Sequence, residues 1–182
     1  MADIKLSPNP LILREDVLRK SIEQMFFAYR DFTGEADAIL AEQDMGRAHH
    51  RVIYFVGRNP DIMVSDLLNI LNITKQSLSR VLSRLVDDGY IRSTPGPVDK
   101  RQRLLSLTDK GVALERELTR VQMARFSRAY KQAGVDSVDG FLRVLSHMTD
   151  DSSHTSTPAS NNDQIRGNGL AAKQAKGAKG EG

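Results

Sequence analysis

Apolar residues recur at helical spacing over the first long segment without proline, from residue 15 to about residue 41. Positions three or four apart share one face of an α-helix, and six apolar residues keep this spacing: Leu18, Ile22, Met25, Phe26, Tyr29 and Phe32. At about 1.5 Å per residue this helix is about 40 Å long, longer than the rest of a small domain can cover. We therefore expect another subunit to complete its apolar face.

Shorter elements follow in the middle of the chain, separated by turn and capping signals. The pattern predicts three helices, over 47–57, 64–71 and 75–88, and two strands, over 90–94 and 103–107. Thr74 is a suitable N-cap for the third helix, and Gly89 is a suitable C-terminal stop. The second and third helices, joined by a tight connection, form a helix-turn-helix, and the β-hairpin that follows forms a wing.

Two more helices are predicted after the hairpin, over 109–132, with Thr108 as its N-cap, and over 137–148. The fold class is therefore mainly α with a small β-hairpin wing: a winged helix-turn-helix flanked by long dimerisation helices. The prediction divides the chain into four regions. Residues 1–13 form an extended N-terminal arm, and residues 14–45 with 109–149 form a helical dimerisation region. Residues 46–108 form the winged helix-turn-helix domain, and residues 150–182 form a disordered tail.

Composition accounts for the two ends of the chain. Pro8 and Pro10 forbid a regular helix in the arm. The tail is rich in Ser, Asn, Gly, Ala and Lys and has almost no large apolar side chain, so it cannot bury enough surface to offset its chain entropy.

Charge is distributed unevenly along the chain. The net charge is only +3, yet residues 46–110 contain 11 Lys and Arg against 6 Asp and Glu. A local basic excess favours a polyanionic partner for this segment. A merely solvated face is the alternative.

The third helix combines an apolar stripe with a polar and cationic outer face that suits the DNA major groove. The wing adds further basic residues, and a guanidinium at its tip suits the negative potential of the minor groove. We expect Asp99 to orient Arg101 through a charge-assisted bond. The candidate DNA-binding residues are Thr74, Lys75, Gln76, Ser77, Ser79, Arg80, Ser83, Arg84, Asp99, Lys100, Arg101 and Arg103.

The run ITKQSLSRVLSRLVDDGYIRSTPGPVDKRQRLLSLTDKG resembles the winged helix-turn-helix core of MarR-family transcriptional regulators. The wing tip at residues 99–101 matches the D-x-R pattern of that family, and residues 107–111 match its L-T-x-x-G pattern. The resemblance covers roughly residues 14–149. Within the family, FFAYRDFT and GRAHHRVIYFVGRNP resemble the PetP/LdtR-like branch, whereas the long tail is not a family feature.

The resemblance implies a homodimer on a pseudo-palindromic site in double-stranded DNA. It also implies that a small aromatic or anionic effector changes the affinity for DNA. The residues support a dimer independently, because the two terminal helices carry more apolar surface than a small monomer can hide.

Aromatic residues are concentrated on the first two helices. They form either a simple core or an effector pocket between the dimerisation helices and the winged domain, in which Arg47 or His50 supplies a positive or donor group. The candidate effector-binding residues are Phe26, Tyr29, Phe32, Thr33, Arg47, His50 and Tyr54.

Several classes of function find no support in the sequence. The chain has no Cys, which removes thiol chemistry and Cys-ligated metals. His49 and His50 are adjacent and point about 100° apart on a helix, so they do not form a chelating i, i+4 pair. No catalytic or phosphate-loop motif occurs. We expect no enzyme activity, cofactor, metal or membrane span, and a cytoplasmic protein.

Two other functions stay open alongside a ligand-responsive, sequence-specific regulator. A winged helix also serves as a protein-interaction module, which would favour an apolar or acidic outer face on helix 75–88. A non-specific architectural DNA binder would draw on the Lys-containing tail.

Overall fold

The computed structural model describes residues 11–149. It contains six helices and three strands over these residues: α1 Glu15–Ala41, α2 Arg47–Arg58, β1 Ile62–Met63, α3 Val64–Leu71, α4 Lys75–Asp87, β2 Ile91–Pro95, β3 Arg103–Leu107, α5 Asp109–Ala133 and α6 Val135–Met148. The predicted mainly helical winged helix-turn-helix is confirmed. Residues 11–13 form a turn rather than extended chain, and the predicted tail and the rest of the predicted arm lie outside the described residues.

The wing belongs to a three-stranded antiparallel sheet in the order β1-β3-β2. β2 and β3 pair from Ile91 opposite Leu107 to Pro95 opposite Arg103. β1 pairs Ile62 with Leu105 and Met63 with Leu104. The sequence pattern missed β1, because two residues are too few to show the alternation of a strand.

Capping interactions fix both ends of α4. The Thr74 hydroxyl accepts a hydrogen bond from the backbone N–H of Ser77 (3.2 Å). At the other end Gly89 has a φ of 75°, and the N–H of Tyr90 donates to the carbonyl of Leu85 (2.8 Å). This Schellman arrangement stops the helix and turns the chain into β2.

The start of α5 is packed tightly against the same corner. The Thr108 side chain accepts from the N–H of Gly111 (3.1 Å) and donates to the carbonyl of Gly89 (2.6 Å). A Cβ at Gly111 would lie 2.1 Å from the carbonyl oxygen of Tyr90. Only glycine permits this approach, which explains the L-T-x-x-G pattern.

One hydrophobic core joins the winged elements to parts of the flanking helices. Its fully buried members come from every layer: Ala36 and Leu40 of α1, Val52, Ile53 and Val56 of α2, Leu67 of α3, Leu78 and Leu85 of α4, Ile91 of β2, Leu105 of β3 and Leu118 of α5. The first half of α1, residues 15–31, and the whole of α6 contribute no buried residue. No helix of the described residues is long and apolar enough to span a membrane.

Candidate nucleic-acid interface and ligand cavity

The polar face of α4 is directed to solvent. Leu78 and Leu85 are buried in the core, whereas six of the candidate DNA-binding residues on this helix are exposed: Lys75, Gln76, Ser77, Ser79, Arg80 and Ser83. This follows from the amphipathic spacing of the helix. These six residues comprise two cations and four neutral hydrogen-bonding groups, and the exposed carboxylate of α4 lies at its last residue, Asp87.

Thr74 and Ser77 hold the start of this helix. Their hydroxyl oxygens lie 2.9 Å apart, in addition to the N-cap bond between them. The N-terminal turn, which a docked helix presents to base edges, is therefore held in place by its own residues.

The wing tip forms a compact turn that carries two cations. The N–H of Gly96 donates to the carbonyl of Gln102 (2.9 Å), and the N–H of Gln102 donates to the carbonyl of Asp99 (3.0 Å). The Asp99 carboxylate accepts from the backbone N–H of Arg101 (2.9 Å). The expected bond to the Arg101 guanidinium is absent among residues 11–149, because the carboxylate closes the turn instead.

Lys100 and Arg101 are exposed at this tip. Within the described part of the chain neither side chain has a hydrogen bond or an ion pair. Both cations are thus available to an external anion.

Arg103 has a different place in the hairpin. Its guanidinium donates to the hydroxyl of Ser93 (3.0 Å) and to the carbonyl of Ser93 (2.7 Å). The side chain therefore braces β3 against β2 while its charge stays exposed.

The position of the Arg84 side chain differs most from the one that the sequence pattern predicts, which is on the outer face of the helix. Arg84 is half-buried and reaches the turn between α1 and α2. Its guanidinium pairs with Asp44 (3.3 Å) and Asp88 (3.4 Å) and donates to the carbonyl of Gln43 (3.2 Å).

A cavity of about 420 Å³ lies between α1, α2 and α5. Six of the seven candidate effector residues line it: Tyr29, Phe32, Thr33, Arg47, His50 and Tyr54. Phe26 does not. It is 63% exposed, and its ring packs edge-on against Phe27 with 5.4 Å between centroids. Phe26 lies in the exposed half of α1, one turn before the cavity begins.

Sequence reasoning missed half of the cavity lining. The missed residues are Arg51 and Phe55 of α2 and Thr119, Gln122, Met123 and Phe126 of α5. The helical spacing of Met123 and Phe126 was a signal, but the spacing alone does not say that this face of α5 meets α1.

The two arginines of the cavity differ in their pairing. Arg47 forms an ion pair with Asp37 (2.8 Å), its Nε lies 2.9 Å from the same carboxylate, and it stacks over the Tyr29 ring at 5.5 Å. The hydrogen bond to Asp37 raises the pKa of Arg47. Arg51 is exposed and has no hydrogen bond or ion pair within residues 11–149. The uncompensated cation of the cavity is therefore Arg51.

The two adjacent histidines have separate roles. His50 lines the cavity, and burial lowers its pKa, so the ring is neutral near pH 7. His49 caps α2, since its Nδ1 accepts from the N–H of Gly46 (3.2 Å), and burial lowers its pKa as well. Neither ring joins a metal-binding group, and residues 11–149 contain no cluster of three or more His, Asp or Glu side chains that could hold a metal ion.

Comparison with known proteins places this fold in a family. A MarR family model matches residues 43–102, from the turn after α1 to the wing turn before β3. The HTH-type transcriptional regulator PetP of Rhodobacter capsulatus is 52% identical over 140 residues, which cover 77% of this chain and 84% of that protein.

Solved structures agree with the architecture. FabT of Streptococcus pneumoniae in complex with DNA has a TM-score of 0.65 at 19% identity, covering 72% of this chain and 94% of that one. NadR in complex with 4-hydroxyphenylacetate has a TM-score of 0.59 at 22% identity, covering 68% and 88%. At these identities the likeness concerns the fold, and the family follows from the likeness to PetP. The chain belongs to the MarR family and is a MarR-type transcriptional regulator with a winged helix-turn-helix.

Proposed function

We propose that this regulator is a homodimer that binds a pseudo-palindromic DNA site in a sequence-specific manner and that a small aromatic anion modulates its affinity. The observation that carries the proposal is the exposed outer face of α4 over residues 75–83, which contains no carboxylate and precedes a wing whose two tip cations have no partner among residues 11–149. A protein-interaction module would have no need for this combination.

Reading of bases is assigned to the N-terminal half of α4. Gln76 lies in the first turn, on the exposed side of a helix whose start is held by the Thr74 cap. A Gln side chain pairs with adenine through two hydrogen bonds in the major groove. Lys75, Ser79, Arg80 and Ser83 continue this face towards further bases and phosphates.

Contacts to the sugar–phosphate backbone of the DNA are assigned to the wing. Lys100 and Arg101 extend from a turn that Asp99 closes, so the cations are presented on a fixed scaffold. Arg101 suits the minor groove beside each half-site, where a narrow groove concentrates negative potential.

Assembly as a homodimer is supported by the two apolar segments that this chain leaves uncovered. Ile22 and Phe26 of α1 are 70% and 63% exposed, and Leu142 and Met148 of α6 are 51% and 62% exposed. A second copy supplies a matching apolar surface by symmetry. Two-fold symmetry would then place two recognition helices about 34–36 Å apart on one side of the duplex.

The effector class follows from the cavity. Aromatic walls suit a planar apolar group, neutral His50 supplies a hydrogen bond, and Arg51, which no carboxylate of residues 11–149 neutralises, suits a carboxylate of the ligand. The NadR complex supports an aromatic carboxylate as the first probe.

The DNA assignment is tested by comparing Gln76→Ala with Arg101→Ala, using duplexes selected by the parent protein and random duplexes over a range of salt. Gln76→Ala should lose about 1–3 kcal/mol of base discrimination and keep its affinity for random duplexes. Arg101→Ala should lower the salt slope by about 0.9 for each phosphate that a subunit no longer neutralises. Arg116→Ala removes an exposed cation of α5 and should change neither quantity. An unchanged salt slope in Arg101→Ala would show that the wing tip does not contact the DNA backbone through Arg101.

The effector assignment is tested with 4-hydroxyphenylacetate, measured by calorimetry and by its effect on DNA affinity. Arg51→Gln and Tyr54→Ala should weaken binding of this probe at least tenfold, which corresponds to about 1.4 kcal/mol. Arg58→Gln, on the same helix but outside the cavity, should bind it like the parent. Equal responses in all three variants would place the ligand site elsewhere.

A further inference from the structure

Three acceptors hold the Arg84 side chain. Two are carboxylates, of Asp44 and Asp88, and the third is the backbone carbonyl of Gln43 at 3.2 Å. Asp88 follows α4 directly, whereas Gln43 and Asp44 belong to the turn between α1 and α2. Arg84 thus connects the C-terminal part of the recognition helix to a turn about 40 residues earlier in the chain.

A second contact ties the same turn to the start of the wing. The hydroxyl of Tyr90 donates to the side-chain oxygen of Gln43. Tyr90 is buried, and the ammonium group of Lys110 lies 4.1 Å from its ring centroid while donating to the carbonyl of Asp88 (2.8 Å). Gln43 therefore contacts both Arg84 of α4 and Tyr90, the residue that precedes β2.

The residue that follows this turn belongs to the cavity lining. Asp37 of α1 and Arg47 of α2 form an ion pair across the turn, and Arg47 is part of the cavity lining. Asp44 has a φ of 53°, a left-handed conformation that Asp adopts more readily than most residues. The Asp37–Arg47 ion pair thus joins the two helices that flank the turn, and Arg84 and Tyr90 contact the turn itself.

We infer that Arg84 is a positioning residue rather than a DNA contact: it latches the recognition helix to the turn between α1 and α2, and so fixes the angle at which α4 presents its outer face. This inference rests on the proposed DNA-binding function. Its charge is already balanced by Asp44 and Asp88, so it releases no counterion when DNA binds.

The latch and a phosphate contact predict different salt dependence. If Arg84 were a phosphate contact, its removal would reduce the salt slope by about 0.9 per subunit and weaken binding to every duplex alike. If it positions α4, its removal leaves the salt slope unchanged and weakens binding to selected duplexes only, because a misaligned helix still meets phosphates but no longer matches base edges.

The test measures affinity against salt for selected and random duplexes with Arg84→Ala, Asp44→Asn and the double variant. Arg84→Ala should reduce affinity for selected duplexes about tenfold, with an unchanged salt slope. Asp44→Asn should reduce it about threefold, since an exposed ion pair is weak. Asn tolerates the left-handed conformation, so this change removes charge without strain. The double variant should bind no more weakly than Arg84→Ala, because both changes break one latch.

Arg80→Ala is the matched control, one helical turn earlier on the exposed face. It should lower the salt slope and weaken binding to both kinds of duplex. Arg84→Lys keeps the charge but cannot serve three acceptors with the same geometry, so it should lose most of the preference that Arg84→Ala loses. Melting temperatures identify any variant that fails to fold, and Asp44→Asn, at an exposed side chain, keeps the test decisive in that case.

Two results would overturn the latch while leaving DNA binding intact. One is a salt slope that falls in Arg84→Ala as it does in Arg80→Ala. The other is tighter binding by Asp44→Asn, which would mean that Asp44 holds back a phosphate-binding arginine. A parent protein with no preference for any duplex would instead overturn the proposed function, and the role of Arg84 with it.

Discussion

Hydrophobic side chains are mostly buried in one part of the molecule and mostly exposed in another. The first part is the winged region, residues 46–108, and the second consists of two apolar segments, residues 15–31 and α6. In the winged region the strongly exposed large hydrophobic residue is Val98 of the wing turn, and the remaining ones are buried or half-buried. In the two apolar segments most large hydrophobic side chains are exposed by a third to four fifths of their surface.

This difference separates folding from assembly. The winged region buries its apolar side chains among its own elements and against parts of α1 and α5 of the same chain. Its fold is therefore complete in one copy. The two apolar segments gain their hydrophobic stabilisation only when another surface covers them. Substitutions in the winged region should therefore change the free energy of unfolding, whereas substitutions in the apolar segments should change the dissociation constant of the dimer.

The largest effect is expected in the core of the winged region. Leu85→Ala removes a fully buried side chain and should lower the free energy of unfolding by about 2–5 kcal/mol. Val98→Ala, at a side chain that is 96% exposed, should change it by less than about 0.5 kcal/mol. Urea unfolding measures both. Equal effects would contradict the placement of α4 on this core.

A smaller effect, confined to assembly, is expected from the apolar segments. Ile22→Ala and Phe26→Ala should each weaken the dimer by about 1.5–3 kcal/mol, the value of burying a large apolar side chain. Sedimentation over a dilution series measures the dissociation constant, and Gln24→Ala on the same helix is the control. A parent protein that stays monomeric and folded at micromolar concentration would remove the need for a second copy.

The smallest expected effect is a dependence of the free energy of unfolding on pH, which arises from His49 and His50 at the start of α2. Burial lowers the pKa of His49 and of His50 in the folded protein below the ordinary value of 6.5. Below pH 6.5 the unfolded chain binds more protons at these sites, so stability should fall as the pH drops from 6.5 through the lowered folded values and level off below them.

Replacement of both histidines tests this dependence. The His49→Gln, His50→Gln double variant should show a shallower decline of unfolding free energy between pH 7 and pH 5. His147→Gln, at an exposed histidine of α6, should decline like the parent. A decline that is identical in all three proteins would assign the pH dependence to the carboxylates.

Local patterns predicted the elements well because each pattern has a local cause. The apolar spacing of α4 reports its buried face, the Thr74 and Thr108 hydroxyls cap the helices that follow them, and Gly89 adopts the positive φ that ends α4. The same patterns identified Gln76 and Arg101 as exposed. They also collected most of the cavity, because Tyr29, Phe32 and Thr33 lie on one face of α1.

What the sequence determined by itself is therefore the order of elements, the amphipathic face of each helix and the basic winged helix-turn-helix. Tertiary structure decided which polar groups meet. The ion pair with Asp44 holds Arg84 away from the outer face of α4, and the ion pair with Asp37 neutralises Arg47 and leaves Arg51 as the uncompensated cation of the cavity. Helix α5 supplies four of the six cavity residues that the sequence pattern missed. The two ion pairs join residues 10 and 40 positions apart in the chain. Helical spacing reports the neighbours of a residue within its own helix, whereas the packing of helices against one another selects partners across the chain.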